Sequence, residues 1–224
     1  MTLNEFTPVQ AIIWDLDNTL YRFDDVFIHA CNVAAARAAV HMEVPLSLDE
    51  AIDFATRSYL ERGFSTEVFI EEHGADRAHM HEIFHSFIDE TAIVKSLETL
   101  ELFEDVKCDH VILTHGSGIW ARRVLDHLGL RRFFPDTHIL GRENFDFHSK
   151  AQSLIPFEKA LSVLGRKSER DVLVVEDTAI NLKYPYDMGL QTALIHHGRP
   201  PAKVDSYIDH SISDVREVLK FLKN

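Results

Sequence analysis

The chain of 224 residues has only two cysteines, Cys31 and Cys108, far apart and in no metal-binding spacing. That excludes a disulfide framework. No apolar run approaches the roughly 20 residues that a membrane span needs. The N-terminus, MTLNEFTPVQ, is too polar for a secretion signal. The 14 histidines are scattered and form no HExxH pair. Internal repeats and low-complexity segments are also missing. Positive charge is scarce: 23 Lys and Arg against 36 Asp and Glu give a formal net charge of −13. Such a balance argues against a nucleic-acid polymer or an anionic membrane surface as partner. The expectation is a soluble cytoplasmic protein, monomer or homodimer. With 46% apolar residues, 15 of them Phe, the chain has enough material for a sizeable core.

Gln10 to Trp14 is a short apolar run that ends in acidic residues. It reads as a buried strand opening into a loop. From about Phe23 to Leu102 no second strand follows, and the pattern is helical. Segments around Val26 to Val40, Leu48 to Leu60, Met80 to Ile88 and Ala92 to Phe103 fit helices, with Ser47 as an N-cap before Leu48. Strand and helix then alternate. His110–Thr114, Thr137–Leu140, Asp171–Asp177 and Thr192–His197 read as strands. Gly118–Leu130, Pro156–Leu164, Ala179–Met188 and Val215–Leu222 read as helices. Alternation of this kind is the signature of a parallel sheet with crossover helices. The predicted architecture is one α/β core domain, residues 1–21 and 104–224, with a helical cap inserted at 22–103.

Ligands of open α/β sheets sit at the carboxyl ends of the strands. Three predicted strands end there in reactive side chains: Asp15-Leu16-Asp17-Asn18-Thr19, Thr114-His115-Gly116-Ser117 and Glu176-Asp177-Thr178. Carboxylates brought that close repel one another unless a cation intervenes. Mg²⁺, which prefers oxygen ligands, meets that need and also neutralises a phosphate substrate. Each residue has a plainer reading. An Asp pair after a strand suits a turn, and a Thr suits a helix cap.

The run Asp-Leu-Asp-Asn-Thr-Leu-Tyr at 15–21 resembles the DxDxT motif of the haloacid dehalogenase superfamily. Thr114 resembles its second motif, and Glu176-Asp177 its fourth. The helical segment Glu61 to His85 resembles the cap of the pyrimidine 5'-nucleotidase-type branch. The resemblance implies a Rossmann-like (HAD-like) parallel sheet with flanking helices, and a Mg²⁺-dependent phosphomonoesterase. Asp15 is then the nucleophile that forms an aspartyl-phosphate. Asp17 is the acid and base, a group that family dehalogenases lack because a halide leaves without a proton. Thr114 and His115 bind phosphate. Lys150, in place of the family's Lys-Pro, is the third-motif lysine; it stands seven residues before Phe157 and is followed by Ala151. Lys159 reads as a surface residue. Asp15, Asp177, Glu176 and the main-chain carbonyl of Asp17 hold the metal. The implied substrate is a small phosphorylated metabolite, a nucleoside 5'-monophosphate. Alternatives are a sugar phosphate or phosphoglycolate-type ester, or a phosphomutase reaction.

Overall fold

The structure, a computed structural model, describes residues 8–166 and 170–223. The polar N-terminal residues 1–7 of the expected core domain lie outside the described residues. Two compact units emerge, one of residues 1–22 and 94–224 and one of residues 23–93.

The second unit is helical: α1 (Asp25–His41), α2 (Leu48–Arg62), α3 (Glu67–Glu71) and α4 (Arg77–Ser86). Its core sets Ala35, Ala36, Ala38 and Ala39 of α1 with Ala51 and Ala55 of α2, closed by Val68, Phe69 and Met80. Small side chains let two helices approach closely. The predicted Ser47 cap forms as a capping box: Ser47 Oγ accepts from the Glu50 N–H, and Glu50 accepts from the Ser47 N–H at 2.9 Å. Helix α3, too short to show a period, escaped the sequence reading.

The first unit carries six parallel strands: β1 (Ala11–Trp14), β2 (Asp109–Leu113), β3 (Ile139–Leu140), β4 (Val172–Glu176), β5 (Gln191–Ile195) and β6 (His210–Ile212). Their order is β3-β2-β1-β4-β5-β6. This is the expected α/β fold with flanking helices. Helices α5 (Leu97–Asp105), α6 (Gly118–Leu128), α7 (Ile155–Val163), α8 (Lys183–Asp187) and α9 (Val215–Leu222) complete it. The strands are buried on both faces, which accounts for their unbroken apolar runs. Ala11, Ile13, Val111, Leu113, Val172 and Val174 share one side with Phe157 and Leu161 of α7. On the other side Trp14 packs on Phe103 of α5 with ring centroids 5.5 Å apart.

That contact corrects one boundary. The sequence put residues up to 103 in the cap, yet the core unit resumes at Val94 and includes α5. Phe103 fills the space over Trp14 and meets Phe133 as well. Strand β6 was also missed, because three residues, His-Ser-Ile, carry no visible alternation. The predicted helix over 179–188 is a 3₁₀ turn, Ala179–Leu182, followed by α8. Among the described residues no helix is long and apolar enough to cross a membrane.

Candidate active site

The register of the sheet builds the site. Trp14, the last residue of β1, pairs with Ile112 of β2 on one side and Val175 of β4 on the other. The residues just beyond therefore reach the same edge together. The Asp15 N–H extends the ladder by donating to the Val175 carbonyl at 2.9 Å. Asn18 then turns the chain with φ 59°, a left-handed conformation that Asn tolerates better than most residues.

Lys150 lies under this edge. Its ammonium donates to Asp15 Oδ1 at 2.6 Å, to Glu176 Oε2 at 2.5 Å and to the Leu113 carbonyl at 3.2 Å. All three N–H donors are thus satisfied. Lys150, Asp15 and Glu176 are 1%, 6% and 3% exposed. Lys159, by contrast, lies exposed on α7. The irregular segment after Ser149 therefore delivers a lysine to the strand-end carboxylates.

Asp177 completes the acidic group. Its Oδ2 accepts from Asn18 Nδ2 at 2.7 Å. Asp15, Glu176 and Asp177 each offer an oxygen within 4.8 Å of the others. Three carboxylates then crowd together, and the Lys150 ammonium pairs with two of them, Asp15 and Glu176. Burial above all, and then the Glu176 charge, push Asp15 up from 3.8 to about 7 against the pull of Lys150. Burial, Glu176 and Asp15 likewise hold Asp177 well above the usual carboxylate range. Burial alone would lower Lys150, but Asp15 and Glu176 together raise it, so it stays charged. The group is short of positive charge, and its donors are all oxygens. Both features fit a hard divalent cation such as Mg²⁺.

Asp17 is not part of that acidic group. Its Oδ1 accepts from Tyr21 Oη at 2.6 Å and from Trp120 Nε1 at 2.8 Å. Its Oδ2 accepts from Thr114 Oγ1 at 3.0 Å. Gly116 makes room for this arrangement: a Cβ there would stand 3.1 Å from Asp17 Oδ2 and 3.2 Å from Thr114 Oγ1.

Thr114 and His115 were expected to meet phosphate. The Thr114 hydroxyl donates to Asp17 and accepts from the Gly116 N–H at 2.8 Å. His115 Nε2 accepts from the Lys150 backbone N–H at 3.0 Å. Trp120 and Tyr21 were missed as partners of Asp17. Trp120 lies inside the predicted helix Gly118–Leu130, and it is 2% exposed. The available signal was its indole N–H, which needs an acceptor when buried.

A pH dependence follows. A carboxyl moved from 3.8 to about 7 binds a proton in the folded state that the unfolded chain has already lost between those values. Without a divalent cation, stability therefore falls as pH rises from about 4 to 7, by on the order of 4 kcal/mol. Saturating Mg²⁺ competes with that proton and flattens the decline. Urea unfolding at pH 5 and pH 7.5, in EDTA and in Mg²⁺, measures both slopes. Equal stability at the two pH values in EDTA would contradict the assignment.

The model of haloacid dehalogenase-like hydrolases matches residues 9–183. Among solved structures, YfnB from Bacillus subtilis, described as a HAD-hydrolase bound to magnesium, is 17% identical, with 96% of this chain and 99% of that chain covered and a TM-score of 0.63. The L-2-haloacid dehalogenase from Xanthobacter autotrophicus with covalently bound chloropropionic acid is 11% identical, with 96% and 99% covered and a TM-score of 0.60. The L-2-haloacid dehalogenase PA0810 is 21% identical, with 96% and 99% covered and a TM-score of 0.58. At such identities the likeness is one of fold. No curated protein matches the chain. The family match takes in the Asp15, Thr114, Lys150 and Glu176-Asp177 segments that converge on one sheet edge, and the chain belongs to the haloacid dehalogenase-like hydrolases.

Proposed function

We propose that the protein is a Mg²⁺-dependent phosphomonoesterase in which Asp15 attacks phosphorus and Asp17 handles the protons. The observation that carries this reading is Asp17. It is a second carboxylate two residues after Asp15, held by Tyr21, Trp120 and Thr114. A halide leaves without a proton, so a dehalogenase has no use for an acid there. An alkoxide leaving from phosphate needs one.

In the first half-reaction an Asp15 oxygen bonds to phosphorus and the ester P–O bond breaks. The leaving oxygen takes the proton of Asp17. In the second, Asp17, now a carboxylate, takes a proton from water. That oxygen attacks phosphorus, the Asp15–phosphorus bond breaks, and phosphate departs. Lys150 favours the ionised form of Asp15 that attacks, and Glu176 fixes Lys150. Asp15 and Asp177, with Glu176 and the Asp17 carbonyl, would hold Mg²⁺, which supplies neutralisation of the phosphoryl charge.

The substrate class rests on the cap. The likeness of Glu61–His85 to pyrimidine 5'-nucleotidase-type caps supports a nucleoside 5'-monophosphate. Sugar phosphates and phosphoglycolate-type esters are the competing substrates, and a phosphomutase would return the phosphoryl group instead of releasing it. Phosphate and halide release are measured over nucleoside monophosphates, sugar phosphates, phosphoglycolate and 2-haloacids, with Mg²⁺ and with EDTA. The expected result is Mg²⁺-dependent phosphate release, fastest from pyrimidine nucleoside 5'-monophosphates, and no halide. Activity confined to sugar phosphates overturns the substrate class alone. Halide release without phosphate release overturns the reaction.

A further inference from the structure

We propose that His115 is a positioning residue for Lys150, its Nε2 accepting the Lys150 backbone N–H and so fixing where the buried ammonium stands. The inference builds on the reading of Lys150 as part of the reacting centre, but its main test does not depend on that reading.

Lysine is a poor candidate for precise placement. Its stem has four rotatable bonds and carries about 2 kcal/mol of rotamer entropy. Lys150 also sits on no helix or strand; it lies in a turn, where Gln152 N–H donates to the Ser149 carbonyl. Where its ammonium comes to rest is set by where the backbone holds its Cα. Two hydrogen bonds fasten the residue to one short segment at the end of β2. The ammonium donates to the Leu113 carbonyl at 3.2 Å, and the backbone N–H donates to His115 Nε2 at 3.0 Å. Leu113 and His115 flank Thr114, which holds Asp17. The segment that orients the acid and base thereby also locates the cation beside Asp15.

The geometry also fixes the state of the ring. Nε2 accepts from a backbone N–H, so it carries a lone pair, and the neutral imidazole bears its proton on Nδ1. Of the amide side chains, Gln places its oxygen at a reach comparable to Nε2. Asn is one bond shorter.

The experiment is NMR on the full chain labelled with ¹⁵N, using wild type, His115→Phe and His115→Gln, with kcat and KM measured alongside. Wild type is expected to show His115 as the Nδ1–H tautomer, a Lys150 amide protected from exchange, and a Lys150 ammonium signal that persists because it is buried. His115→Phe keeps a ring but has no acceptor. It should lose amide protection at least about tenfold, move or broaden the ammonium signal, and lower kcat about 10- to 100-fold with little change in KM. His115→Gln should restore most of all three. An Nε2–H tautomer in wild type overturns the hydrogen bond without any variant. Unchanged Lys150 amide and ammonium signals in His115→Phe overturn the positioning role, as does failure of Gln to rescue either signal. If wild type hydrolyses no phosphate ester while the tautomer and both Lys150 signals behave as stated, the proposed reaction fails and the positioning of Lys150 by His115 stands.

Discussion

Asp15→Asn is expected to lower phosphate release by on the order of 10⁴-fold or more, with the fold intact. The amide has nearly the shape of the carboxylate, and its oxygen can still accept from Lys150. What it lacks is the anion that attacks phosphorus. The substitution also removes one of three crowded carboxylates, Asp15, Glu176 and Asp177, of which Asp15 and Glu176 pair with the Lys150 ammonium. Stability should therefore hold or rise. Initial rates with the best ester, and thermal unfolding of the same preparations, check both parts. Lost activity with a stable fold is the expected pair of results. A variant that keeps a tenth of the wild-type rate would remove Asp15 from the chemistry.

Lys150→Met should have the largest effect on stability, a loss of about 3–5 kcal/mol at neutral pH. Met matches the stem in length but leaves Asp15 and Glu176 buried with no cation between them. Breaking one side of a buried ion pair costs more than the pair contributes, because the remaining charge stays desolvated. The loss should shrink near pH 5, where Asp15 protonates. Adding Glu176→Gln to the variant should recover part of it. Urea denaturation in EDTA, at both pH values, reads these differences. A loss below about 1 kcal/mol at neutral pH would mean that the three-way contact contributes little.

The sheet was legible because its strands are buried on both faces. Gln10–Trp14 and Asp171–Asp177 read as apolar runs for the same reason that β1 and β4 are sealed. Their adjacency was not legible. It follows from the register that pairs Trp14 with both Ile112 and Val175, a property of three segments about 60 to 160 residues apart. Once the strands align, Asp15, Thr114 and Glu176 must share an edge. The cap boundary failed at α5 because a helical pattern does not say which core the helix joins; Phe103 joins Trp14. Lys150 was found by its place before α7, but its grip on Glu176 and Leu113 was not. Tyr21 stands in the sequence only as the last residue of the 15–21 motif. Its hydroxyl goes to Asp17, four residues away. Sequence marked the reacting groups well and the side chains that hold them poorly. Reacting groups sit at strand ends, whereas their supports are ordinary core residues with one polar atom.

The central claim is that Asp15 carries the phosphoryl group between two half-reactions. The direct measurement is a single turnover in Mg²⁺ with the best ester, quenched in acid, followed by mass spectrometry of the peptide that contains Asp15. A mass increase of one phosphoryl group on Asp15, rising and then decaying as phosphate appears, is the predicted result. Phosphate release with no adduct at any time, or with the adduct on another residue, would contradict it.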